Sequence, residues 1–355
     1  MLLDQIDEYF VKREIVMDLV FCTLFNSGYL DKGLVLYNSM VKCMEYFRLY
    51  VFAFDEKCRE ILINMKLDNM IVVSLEEFET PELLKVKAER TPAEYCWTCS
   101  SWSIKHVLDH YNEKICTYID ADMRFFSSPQ PVFDDMRKSN CSIIITPHRY
   151  KTEEEEKRAE RLRGKYCVEF NTFINDTNGL AALNWWADKC LEWCFYARPG
   201  TTEWYGDQKY LNVFPEKFNG VYICNHHGVG LAPWNNHLVE YSPLQDGKNI
   251  TIRELNTGLN YNLIIYHFEN VSFLTKHIMH ASSQMKDSIL HKKVYDPYIS
   301  ELLQQRVILK EKYGFELSRK KRVLTKNFLM RIYQKYIGPI RRIKHLYDLY
   351  WIKGA

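Results

Sequence analysis

No apolar run in this sequence approaches the length of a membrane span; even IVMDLVFCTLF is broken by Asp18. The opening stretch, MLLDQIDEYFVKREIV, interrupts its apolar residues with Asp4, Asp7, Glu8, Lys12, Arg13 and Glu14, so the apolar core of a signal peptide is missing. Together these absences predict an intracellular, cytoplasmic chain. Neither a glycine-rich dinucleotide fingerprint nor a P-loop follows the first predicted strand, which disfavours the common dehydrogenase and NTPase classes. The eleven cysteines are scattered. Cys96/Cys99 and Cys190/Cys194 have no second pair at zinc-ribbon spacing, so reduced thiols are expected rather than disulfides or structural zinc. No internal repeat is visible.

What is present is the composition of a folded chain: 355 residues, 47% hydrophobic and 26% charged, enough for a substantial core in one large domain or two lobes. The formal charge of +2 conceals an asymmetry. Between Ser318 and Lys353 eleven Lys/Arg face a single acid, Asp348, a surplus of +10 that leaves −8 on the remainder.

Four apolar stretches predict strands: Met17–Leu24, Arg48–Phe54, Met70–Leu75 and Ile115–Ile119. Between them lie DKGLVLYNSMVKCMEYF, EKCREILINMKL and SWSIKHVLDHY, all with helical spacing. This alternation predicts an α/β fold with a mainly parallel sheet flanked by helices. A further strand is expected at Ser142–His148, then an exposed helix in KTEEEEKRAERLRGK, where Glu153/Lys157 and Glu154/Arg158 have favourable i,i+4 order; a flap over the crevice is the competing use of that segment. GLAALNWWADKCLEWC also reads as helix. Beyond NLIIYHFEN the chain reads as helical to its end, with breaks at Pro297 and Pro339.

Ligands of such sheets sit beyond the carboxyl ends of the strands. That rule gathers Thr23, Leu24, Phe25 and Asn26 after the first strand, Asp55 after the second and Asp120-Ala121-Asp122 after the fourth at one crevice. If extension continues, Asp120 and Asp122 share a face, and two neighbouring anions call for a cation. A hard divalent ion, Mg²⁺ or Mn²⁺, takes carboxylate and phosphate oxygens, and Mn²⁺ accepts imidazole as well. Two aspartates and a histidine with open positions would suit a departing nucleoside diphosphate. Asp55 could equally be a turn former, and Trp97, Trp185, Trp186 and Trp234 core residues, with Trp97 or Trp234 alternatively lining a sugar site.

In order along the chain, YIDADMRFF, FNTFINDTN, GDQKYLN and HHGVGLAPW resemble the signature blocks of GT-A-fold, nucleotide-sugar-dependent glycosyltransferases. The resemblance is closest to bacterial lipopolysaccharide- and capsule-type enzymes related to the retaining family that includes glycogenin, and it spans roughly residues 17 to 270. It implies Asp120 and Asp122 as the metal-binding pair and His226, eight residues before Trp234, as the third ligand. His227 and His267 are the alternatives for that ligand. Ala232 stands where the family's His…Lys-Pro-Trp block has lysine. The resemblance further implies Asp207 and Gln208 at the reaction centre, Asn171 near the donor sugar, a UDP-sugar donor, a glycan or lipid-linked glycan acceptor, and retention at the anomeric carbon. Asp207 as a helix cap for QKYL is the structural alternative.

A GT-A-like domain over residues 1–272 and a helical C-terminal extension over 273–355 are therefore expected. The tail SRKKRVLTKNFLMRIYQKYIGPIRRIKHLYDLYWIKG mixes cations with aromatic and aliphatic residues, which suits an anionic membrane surface and predicts peripheral association with the inner face of the cytoplasmic membrane. No nucleic-acid recognition module accompanies that charge. Competing functions are a nucleotidyltransferase, whose glycine-rich N-terminal loop is missing, a dehalogenase-type phosphatase, whose Asp-X-Asp would be followed by Thr or Val where Arg124 stands, and a carbohydrate-binding pseudo-enzyme.

Overall fold

The computed structural model describes residues 19–196, 203–243, 249–273, 278–280, 289–318 and 349–351. Its first half alternates strictly. Strand β1 (Val20–Phe25) leads through helix α1 (Leu30–Cys43) to β2 (Arg48–Ala53), then through α2 (Glu56–Met65) to β3 (Met70–Val73). Two short helices, α3 (Leu75–Phe78) and α4 (Pro81–Lys87), precede the long α5 (Pro92–His110), which returns the chain to β4 (Ile115–Ile119). All six residues of β1 and all five of β4 are buried, as strands covered on both faces must be. Polar side chains set where the helices start. Asp55 accepts from Cys58 N at the head of α2, and Thr91 and Glu94 close a reciprocal capping box on α5, whose first residue is Pro92.

The second half continues with β5 (Met123–Phe125), α6 (Gln130–Lys138), β6 (Ile143–Pro147), α7 (Glu153–Leu162), β7 (Tyr166–Ile174), α8 (Thr177–Glu192), α9 (Phe214–Lys217) and β8 (Val221–Ile223). The main sheet has seven strands in the order β3-β2-β1-β4-β7-β6-β8. Every neighbouring pair is parallel except those of β7, which runs antiparallel to both β4 and β6. This is the mainly parallel α/β sheet flanked by helices that the sequence predicts. On α7 the expected Glu153/Lys157 pair forms at 2.6 Å. All eleven cysteines are free.

Three smaller sheets complete the fold. β9 (Val239–Pro243), β10 (Ile250–Glu254) and β11 (Asn260–Asn262) form an antiparallel sheet, β12 (Ile265–His267) pairs antiparallel with β5, and β13 (Ser272–Phe273), β14 (Ile278–His280) and β15 (Leu349–Trp351) form the third. The expectation of helix to the chain end is thus corrected. The described C-terminal residues hold one long helix, α10 (Asp296–Tyr313), and three short strands. Pro297 is the second residue of that helix, at the junction where a π-helical stretch over Leu290–Tyr295 gives way to it. Pro339 and nearly all of the basic tail lie outside the described residues. Among those described, no helix is long and apolar enough to cross a membrane.

Helix α10 is bolted to the body by ion pairs: Arg306 Nε lies 2.6 Å from Asp31 Oδ2 on α1, and Glu301 pairs with both Lys42 and Arg124. Beneath these, Tyr298 stacks on Phe268 with ring centroids 3.6 Å apart, in a second apolar cluster with Tyr266 and Tyr295. Helix α1 also fixes β5, since the buried Ser39 hydroxyl accepts from Phe125 N at 3.0 Å and donates to Leu36 O. Replacing Ser39 with alanine would leave the Phe125 N–H unpaired beside the crevice. Denaturant unfolding of Ser39→Ala should show a loss of about 1–3 kcal/mol; stability equal to the parent would mean that this bond contributes nothing.

Candidate active site

The site grows from the end of β4. Asp120, Ala121 and Asp122 turn the chain from β4 into β5, and β5 recruits its partner strand in a defined register, with Met123 opposite His267 and Phe125 opposite Ile265. Phe268 N donates to Asp122 O at 2.9 Å, so the pairing extends up to the aspartate. Side chains alternate along β12, so Tyr266 enters the second apolar cluster while His267 turns to the acids. His267 Nε2 stands 3.2 Å from Asp122 Oδ1 and 3.8 Å from Asp120 Oδ2. One ligand atom from each of the three residues lies within 4.8 Å of the others.

The histidine that the structure brings to the two aspartates is not the expected His226 but His267, one of the two alternatives. His226 sits on a loop clamped from below by Arg149, whose guanidinium donates to the carbonyls of Cys224, His226 and Val229. With the backbone held this way, the His226 ring packs edge-on to Tyr261, at 5.1 Å between centroids, and its Nδ1 accepts from Gly228 N. His227 stacks on the other side of that contact, also against Tyr261. Neither ring stands in the Asp120–Asp122–His267 group.

Glu169, in the middle of β7 and fully buried, holds His267 from behind, with Oε2 2.7 Å from Nδ1. With Nδ1 donating to Glu169, loss of the Nε2 proton would turn that nitrogen's lone pair toward Asp120 and Asp122, the arrangement of an imidazole that can ligate. Burial opposes a charged His267, yet its bonds to Asp122 and Glu169 win and hold its pKa well above the ordinary value in the metal-free chain. The two aspartates are driven apart. Burial pushes Asp120 up to about 7 against the pull of His267, whereas for Asp122 the cations Lys32 and His267 outweigh burial and hold it below the usual carboxylate range. Lys32 Nζ is 3.2 Å from Asp122 Oδ2.

Asp120 and His267 open onto a cavity of about 370 Å³ whose walls also carry Trp97, Asp207, Gln208 and Trp234. Helix α5 supplies one wall, because Trp97 and Ser100, three residues apart, share a face. Gly206 has φ +52° and passes close under Trp97, where a Cβ would meet the indole at 3.4 Å. Asp207 occupies the N-cap position of the short 3-10 helix Gln208–Val213, but its side chain makes no capping bond and faces Ser100 Oγ at 2.6 Å. The same hydroxyl lies 2.7 Å from Trp97 O. One hydroxyl proton cannot serve both oxygens, but a neutral Asp207 returning its own proton to Ser100 satisfies all three groups. Burial pushes Asp207 up to about 7, in the same direction. Gln208 is oriented by donating from Nε2 to Arg163 O at 2.7 Å.

Other expected site residues are engaged elsewhere. Asn171 is buried at the irregularity between β6 and β7, where Oδ1 accepts from Thr146 N and Nδ2 donates to Cys167 O. Asp55 caps α2 and receives Ser27 N and Oγ, tying the loop after β1 to the loop after β2. Thr23, Leu24 and Phe25 are buried strand residues, Ala121 is buried in the turn, and Asn26 caps the next turn through Gly28 N. None of these lines the cavity. Sequence reasoning missed Glu169, Lys32 and Ser100. The one available signal was an acid inside the apolar run YCVEFNTFI.

No family model matches the chain. It is similar to two uncharacterized proteins of Bacillus subtilis (strain 168), YfnD and YfnF, each 29% identical. The YfnD match covers 79% of this chain and 88% of that protein, and the YfnF match 81% and 91%. Among solved structures it is similar to the galactosyltransferase LgtC in complex with donor and acceptor sugar analogs, at 12% identity and a TM-score of 0.48 over 81% of this chain and 96% of that one. It is also similar to mouse xyloside xylosyltransferase 1 in its apo form, at 13% identity and a TM-score of 0.43 over 71% and 98%.

A carboxyl raised from 3.8 to about 7 by burial costs stability once the unfolded chain ionises, so the cost starts near pH 4 and grows up to about pH 7. Asp207→Asn should therefore match the parent in acid and exceed it at pH 8, by up to about 4 kcal/mol, in paired thermal or denaturant unfolding. An advantage that does not change with pH would remove the buried neutral carboxyl.

Proposed function

We propose that the chain is a metal-dependent glycosyltransferase that moves a sugar from a nucleoside-diphosphate donor, by default a UDP-sugar, to a glycan or lipid-linked glycan acceptor. The observation that carries this reading is the Asp120–Asp122–His267 group opening onto a cavity that also holds Asp207, Gln208 and Trp97. Hard oxygens from two carboxylates and one imidazole, its far nitrogen tied to Glu169, fit Mn²⁺ or Mg²⁺. Asp120, Asp122 and His267 would hold that ion, which supplies positive charge for the departing diphosphate.

The chain's own groups do the rest. Trp97 and Trp234 offer aromatic faces suited to the apolar face of a pyranose and exclude water from the reaction centre. Glycosyl transfer builds positive charge at the anomeric carbon, and the Asp207 carboxyl and the Gln208 amide carbonyl are the oxygens placed to balance it. We infer retention by attack on the face of the leaving group: the acceptor hydroxyl oxygen bonds the anomeric carbon, the carbon–phosphate oxygen bond breaks, and the hydroxyl proton passes to the departing diphosphate. The loops closed by Asn26 and Asp55, beyond β1 and β2, are the proposed nucleotide side. Surface polysaccharide or lipopolysaccharide synthesis is the proposed setting, with the basic tail at an anionic membrane surface.

Incubation with a panel of nucleotide sugars and Mn²⁺ should give slow hydrolysis of at least one donor, lost on chelation. His267→Ala should lower that rate roughly 10²-fold or more, while His226→Ala leaves it near the parent value. Turnover of no donor, or greater loss in His226→Ala, would contradict the assignment.

A further inference from the structure

Lys32 is a charged group at the crevice that the transfer chemistry above does not use. It lies in the first turn of α1, its side chain is only 11% exposed, and its ammonium contacts two groups: Asp122 Oδ2 at 3.2 Å and the face of Tyr29, 4.1 Å from the ring centroid. A buried lysine loses much hydration and several rotamers, a cost that one carboxylate and one aromatic face offset in part. The neighbouring acid on α1, Asp31, makes its ion pair with Arg306 and none with the Lys32 ammonium.

The two oxygens of Asp122 are divided. Oδ1 faces His267 and Oδ2 faces Lys32, so a cation held by Asp120, Asp122 and His267 leaves the lysine in place. Charge then decides what the lysine is for. Two ligating carboxylates formally cancel a divalent ion, and Glu169 adds a further negative charge behind a neutral His267. A diphosphate approaching this centre meets little net positive charge from the ion and its ligands, and among the described residues Lys32 is a cation standing directly against one of those ligands. Lys32 is also placed on the correct side. It does not line the sugar cavity but stands next to Tyr29, on the loop that leaves β1, where the nucleotide is proposed to lie.

We propose that Lys32 is the cationic contact for the diphosphate of the donor and of the departing nucleoside diphosphate. The inference rests on the metal-dependent transferase reading and identifies which side chain of this chain, beyond the metal ligands, meets the phosphates. Arg163, on the cavity wall with Gln208, is the competing cation.

Titration calorimetry on the full chain separates the possibilities, with Mn²⁺ alone and then inorganic pyrophosphate at saturating Mn²⁺ as probes. Lys32→Met should weaken pyrophosphate binding about tenfold or more, the loss of one charge-assisted contact, without weakening Mn²⁺ binding. Lys32→Arg should keep most of the affinity, and Arg163→Met should bind like the parent. Parent-like pyrophosphate binding in Lys32→Met, or loss in Arg163→Met alone, overturns the inference. So does an equal loss of Mn²⁺ affinity in Lys32→Met, which would make the lysine only a support for Asp122. A parent that binds Mn²⁺ but not pyrophosphate overturns the inference and spares the metal site; a parent that binds no Mn²⁺ overturns both.

Discussion

Two carboxylates at the end of a buried strand repel each other, and everything around them is arranged to make that repulsion bearable. Asp120 and Asp122 are one residue apart, largely withdrawn from water, with a third acid, Glu169, behind them. In a medium of low effective dielectric such charges cannot coexist without compensation. The chain's own groups meet this with Lys32 and His267 on Asp122 and with a raised pKa at Asp120, while a divalent ion would meet it more fully. On the proposed reading, relief of that electrostatic cost would drive cation binding.

The fold delivers that arrangement through strand pairing rather than loop flexibility. β4 ends at Asp120, β5 begins at Met123, and the antiparallel partner β12 carries His267 into register from the far end of the chain. Helix α1 serves both ends: Ser39 satisfies the backbone of β5 and Lys32 meets Asp122. Helix α10 closes over this assembly through Arg306, Glu301 and Tyr298, so C-terminal residues support a site built mainly from the sheet.

Much of this was legible in the residues. β4 spans Ile115–Ile119 as its apolar run indicates, and the α/β alternation predicts the parallel half of the sheet, because both features are local in sequence. The antiparallel β7 was not legible, since pairing direction depends on connections elsewhere. The choice of histidine failed for a similar reason: motif spacing favours His226, but the Arg149 clamp turns that loop toward Tyr261, and a strand register invisible in the sequence brings His267 instead. Asp207 reads as a cap by position, and only the approach of Ser100 from α5, 107 residues away in the chain, reveals a buried carboxyl whose pKa burial raises. Asn171 shows the limit of carrying a motif over, because its amide is spent on the irregularity between two strands.

Anomalous diffraction from crystals grown with Mn²⁺ tests the central claim directly. The account predicts a Mn²⁺ peak at bonding distance from one oxygen of each of Asp120 and Asp122 and from Nε2 of His267, with Nδ1 still on Glu169. A peak beside His226, or none in the crevice at millimolar Mn²⁺, would contradict it.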